Sequence, residues 1–161
     1  MASSRGALHA YLSDHMAGSV TASDLAKRGA SKNDGLLRAF FSDLGRDIDA
    51  DRQTLGSIAS RVGVGPHPVK QAAAMAAERF SRFRIDHRMT GNRELSLLLE
   101  LELLYLGIQG KHALWRALEV VAEDDARLAD VDFEALAKRA TQQLDAVEGQ
   151  RQAIVRKALA A

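Results

Sequence analysis

The stretch from Gly91 to Asp125 constrains this chain most. After the breaker Thr90-Gly91-Asn92 it reads RELSLLLELELLYLGIQGKHALWRALEVVAEDD, without proline and rich in strong helix formers. The pattern predicts one helix of about thirty residues, roughly 45 Å long. Leu95, Leu98, Leu99, Leu106, Ala113, Ala117 and Val120 share one side, and Leu97, Leu103, Leu104, Leu114 and Leu118 share the other. A helix that is apolar on nearly every side is expected to be covered on nearly every side. Within it, Glu100 and Glu102 stand about 200° apart, so turning one to solvent turns the other inward. One buried acid is therefore expected, either Glu100 or Glu102.

The 161 residues, 47% of them apolar, suit one domain over residues 1–161. A formal net charge of +1, with both signs spread along the chain, provides no field to draw nucleic acid or membrane. The absence of cysteine excludes disulfides, thiolate chemistry and cysteine zinc sites. Met1-Ala-Ser-Ser lacks the basic start and apolar run of a signal peptide. The run from Leu95 to Ile108 is too short and too acidic to span a bilayer. A cytoplasmic protein with neither membrane nor nucleic acid as partner is the expectation. Two prolines and few aromatics, with abundant Ala and Leu, favour an all-α fold.

Three further helices follow from periodicity. The first spans Gly6 to Arg28, with Leu8, Tyr11, Leu12, Met16, Ser19, Ala22 and Ala26 on a narrow face, and residues 29–34 break the chain before an antiparallel partner. That partner, Leu36 to Val62, carries Leu37, Phe40, Leu44, Ile48, Leu55, Ile58 and Val62 in a stripe interrupted by Asp51. Gly63-Val-Gly-Pro-His-Pro68 stops it. The connector to Gly91 includes a shorter amphipathic helix, Val69 to Phe83, and is long enough to travel the length of a bundle. Asp132 is placed to cap the last helix, with Val131 and Leu136 as a staple. That helix presents Phe133, Leu136, Ala140, Leu144, Val147, Ile154 and Ala158, with Arg151 in the same stripe.

Four main helices joined by a short loop, a long crossover and a short loop resemble the ferritin-like superfamily over nearly the whole chain, as a pattern rather than as a motif. The resemblance implies a ferritin-like four-helix bundle whose crossover carries an extra short helix. In di-iron members, one Glu comes from each of two helices and a Glu-x-x-His from each of the others. Here the first helix offers Asp14 and His15, the second Asp47 and Asp51, the third Glu100 or Glu102, and the fourth Glu148-Gly-Gln-Arg151. Arginine stands where the family places histidine, and arginine does not deprotonate to become a ligand. The second helix has aspartates and no histidine, while His67, His87 and His112 fall in the connector or off position.

Asp51 and Arg151 each interrupt an apolar stripe near mid-helix, and pairing them would satisfy both. The expected core polar cluster is His15, Asp51, Glu102, Glu148 and Arg151. The alternative is a metal site for iron or manganese built from His15, Asp47, Asp51, Glu102 and Glu148, in a ferroxidase, oxidase or iron-storage relative. A segment rich in arginine offers Arg79, Arg82, Arg84 and Arg88 as an anion-binding candidate, although basic runs are mostly solvated faces. No catalytic residues and no pocket can be read from the sequence. The expected function is a non-catalytic assembly or interaction module without cofactor. It is expected to form a homodimer, because the central helix has more apolar surface than a four-helix monomer covers.

Overall fold

A computed structural model describes residues 4–65, 74, 78 and 91–160. Among these residues are four α-helices and no strand: α1 (Ser4–Lys32), α2 (Gly35–Arg61), α3 (Arg93–Ala122) and α4 (Phe133–Leu159). The short helix expected over 69–83 and the arginines 79, 82, 84 and 88 lie outside the described residues. No helix among the described residues is long and apolar enough to cross a membrane.

The helix ends follow the local chemistry. Asn92 and Asp132 each accept a hydrogen bond from the backbone N–H three residues on, at 3.0 and 2.9 Å, so α3 and α4 start where a side-chain oxygen meets an unpaired donor. Val131 and Leu136 both pack against the core, as a staple requires. At the end of α2, Gly63 adopts φ +86 and the Val64 N–H reaches back to the Ala59 carbonyl at 2.9 Å. Glycine there closes the helix at no steric cost.

The expected break over 29–34 is shorter than the sequence pattern suggests, because α1 continues through Gly29 to Lys32. Gly29 is a contact point instead of a breaker. A Cβ on it would lie 2.3 Å from the Phe41 ring, which is fully buried against this part of α1. The Asn33 side chain donates to the Gly29 carbonyl at 2.8 Å and closes the last turn.

Contacts between helix ends establish the topology. His9, near the start of α1, meets the Val62 carbonyl at the end of α2 (2.9 Å), so α1 and α2 are antiparallel. Arg61 reaches Asp130 in the α3–α4 turn at 2.5 Å, which brings the ends of α2 and α3 together. Lys32 pairs with Glu100 at 3.1 Å, and Arg93 donates to the Lys32 carbonyl, so the end of α1 meets the start of α3. Helices α2 and α3 are therefore parallel, and the chain between residues 65 and 91 joins opposite ends of the bundle. The main packing pairs are α1 with α2 and α3 with α4, with α1 also lying along α3.

One core runs through all four helices, from Leu12 and Phe41 through Ile58, Leu101 and Trp115 to Val147. The long third helix is not covered all round. Leu98, Leu101, Leu104, Ile108, Trp115 and Leu118 turn inward, while Leu106 and Val120 remain 66% and 63% exposed. Nor does either central glutamate enter the core. Leu101 takes the inward direction with no exposed surface, which sets Glu100 and Glu102 about 100° to either side. Glu100 pairs with α1 through Lys32, and Glu102 faces α4 across 3.6 Å to Arg151. The expectation of one buried acid fails because two residues about 200° apart can both flank the residue between them.

Candidate functional site

Asp51 is the polar intruder that the core does accept. It lies in the inward stripe of α2 between Ile48 and Leu55 and is only 2% exposed. A carboxylate there must be neutralised and hydrogen-bonded. One carboxylate oxygen accepts from the Arg139 guanidinium, and the other accepts from the Lys111 ammonium and from Gln143 Nε2 at 3.2 Å. Gln143 also accepts from Lys111 through its Oε1, so the three donors form a closed network between α2, α3 and α4. Arg139 and Gln143 are four residues apart, one turn of α4, and present adjacent side chains to the same acid. Burial pushes the Lys111 amine below its ordinary value, and the Asp51 carboxylate opposes that shift.

The expected cluster divides in two. Asp51 does not meet Arg151. Arg151 instead grips Glu148 one turn earlier on α4 with two hydrogen bonds at 2.6 and 2.8 Å, and reaches Glu102 at 3.6 Å. This second group sits in the outer groove of α3 and α4, where the Arg151 side chain is 30% exposed and Glu102 42%. Arg151 holds the Glu148 carboxyl down at about 2. Arginine is long enough to leave the apolar stripe for the groove, whereas aspartate is too short to escape the core.

His15 belongs to neither group. It packs on the edge of Tyr11, with ring centroids 4.6 Å apart, and burial lowers its pKa against the opposing Asp14 carboxylate. The alternative metal set is likewise dispersed: Glu102 and Glu148 belong to the groove, and Asp51 is engaged by two cations and an amide. Among the described residues no three His, Cys, Asp or Glu side chains come together as a metal would require. The donor set does not fit a di-iron centre.

Sequence reasoning missed Lys111, Arg139 and Gln143. The signal for one of them was available, since Lys111 is the only Lys or Arg between Arg93 and Arg116 in the most apolar helix. Nothing in the sequence separates Arg139 from the other arginines.

Beside the cluster, α1, α2 and α3 leave a cavity of about 210 Å³. Ile48, Leu55, Ile108, Leu114 and Trp115 form apolar wall, Asp51 and Lys111 reach one side of it, and His15 with Asp14 stands on the α1 side. Gly18, Gly107 and Gly110 also border it. His15 and Lys111, whose pKa values burial lowers, thus face the same space. Set against family models, curated proteins and solved structures, the chain gives no match in any of the three comparisons.

Proposed function

We propose that the chain is a non-catalytic interaction module, a bundle of ferritin-like connectivity that pairs with a second copy through the outer face of α3. The ferritin-like reading is supported by the parallel course of α2 and α3, which goes with a single long crossover. The observation that carries self-association is the row Leu106, Ala113 and Val120, all exposed and seven residues apart on one helix. Such spacing is that of a helix-pair seam.

The row also suits a twofold axis. If two copies of α3 cross antiparallel at Ala113, Leu106 of each meets Val120 of the other, and the small residue at the axis allows close approach. The core cluster has a structural role in this reading: it neutralises Asp51 and ties α2 to α3 and α4. Sedimentation equilibrium at tens of micromolar tests the proposal. The wild type is expected as a dimer and Leu106→Lys/Val120→Lys as a monomer of unchanged helix content; a strictly monomeric wild type overturns it.

A further inference from the structure

The hairpin of α3 and α4 carries opposite charge at its two ends. Arg151 near Glu102, and Gln143 bonded to Lys111, set these helices antiparallel, so the start of α3 and the end of α4 share one end of the bundle. There Arg93, Arg156 and Lys157 are exposed and opposed by Glu94, and none of the four forms an ion pair among the described residues. Lys32 is taken by Glu100, and Arg38 and Asp34 offset each other. At the far end Glu123, Asp124, Asp132 and Glu134 are exposed and opposed by Lys138, again without an ion pair among the described residues. Asp125 and Asp130 are already held by Arg127 and Arg61. The hairpin is basic where it opens and acidic where it turns.

Helix macrodipoles explain only part of this pattern. Glu134 in the first turn of α4, and Arg156 and Lys157 in its last, stand where the dipole favours them. On α3, Glu94 apart, the signs are reversed. Arg93 stands at the positive N-terminus, no base lies in the last turn, and Glu123 and Asp124 follow at the negative C-terminus. These charges cost the helix stability and pair with nothing in the bundle. Between the ends the outer face of α3 is nearly neutral: Gln109, Gly110, Ala113 and Ala117 are uncharged, and Arg116 is held by Glu119 at 2.5 Å.

We infer that each end of this hairpin docks against the opposite end of a second copy, so that charge fixes the direction of pairing and makes it sensitive to salt. The inference rests on the association through α3 proposed above. An antiparallel pair brings Glu123 and Asp124 of one copy beside the basic end of the other, and does so twice about the twofold axis. A parallel pair would set base on base and acid on acid. The attraction acts over about one Debye length, roughly 10 Å at 0.1 M salt, and therefore selects direction without needing bonded bridges.

Sedimentation equilibrium of the full chain in low and high sodium chloride reads the direction from the sign of the salt effect. Between about 50 and about 500 mM salt the dimer should weaken about fivefold, whereas a parallel pair would tighten. Glu123→Lys/Asp124→Lys makes both ends of the hairpin basic, and Arg156→Glu/Lys157→Glu makes both acidic. Each variant should self-associate about fivefold more weakly than the wild type at low salt, and an equimolar mixture of the two should recover the loss as a heterodimer. The lysine substitutions suit the dipole of α3, so weaker pairing there is not weaker folding, and circular dichroism checks both variants. A dimer whose affinity is flat or rises with salt, or a mixture that recovers nothing, overturns the inference and leaves the pairing through α3 standing. A wild type that is monomeric at every salt concentration removes both.

Discussion

Asp51 and Arg151 interrupt apolar stripes on α2 and α4 in the same way, and the fold treats them oppositely. Asp51 stays in the core, where two cations and an amide converge on it. Arg151 leaves its stripe for the groove between α3 and α4 and is satisfied by Glu148 on its own helix, with Glu102 nearby. The difference lies in reach. A short acid on an inward position has nowhere else to go, so partners must come to it from other helices; a long cation carries its charge to the rim and finds a local partner. One cluster therefore ties helices together, and the other mostly decorates one of them.

That contrast predicts very unequal consequences for removing each centre. Asp51→Asn should cost about 3 kcal/mol in urea denaturation, because Lys111 and Arg139 are then held together without a countercharge. Lys111→Met should cost about 1 kcal/mol, since Arg139 still neutralises Asp51 and the new side chain fills the same stem volume. A smaller loss for the aspartate variant than for the lysine variant would break the comparison.

Acid separates the two regions by where stability is lost. His15, on the cavity side, has a folded pKa below its ordinary 6.5, so the unfolded chain takes up the proton first and stability falls as pH drops below 6.5. Glu148 has a folded pKa of about 2 against an ordinary 4.5, so its contribution is intact above 4.5 and fades only between 4.5 and 2. Denaturation midpoints at pH 7.5 and 5.5 should therefore differ more in the wild type than in His15→Gln, while Glu148→Gln tracks the wild type over that interval. Equal drops in wild type and His15→Gln would remove His15 as the source.

The smallest effect is expected at Arg151. Half-exposed pairs within one helix contribute little, and Arg151→Met should leave the urea midpoint at pH 7 unchanged within error. A clear loss would mean that the bridge to Glu102 ties α3 to α4 as firmly as Asp51 ties its neighbours.

Sequence alone determined the four helices, the Asp132 cap, the stop at Gly63 and the fact that Asp51 needs a partner, because propensity, capping and periodicity act within a few turns of one chain. It did not reveal that Gly29 accommodates Phe41, since that requires knowing which residue crosses from the next helix. Only the tertiary structure decided that α2 and α3 run parallel, that Lys111, Arg139 and Gln143 are the partners of Asp51, and that Glu100 and Glu102 both flank Leu101. These depend on the rotation of each helix about its axis, which is set by packing against three neighbours at once. The cavity against Trp115 has the same origin: it is space left between three helices, and no single segment encodes it.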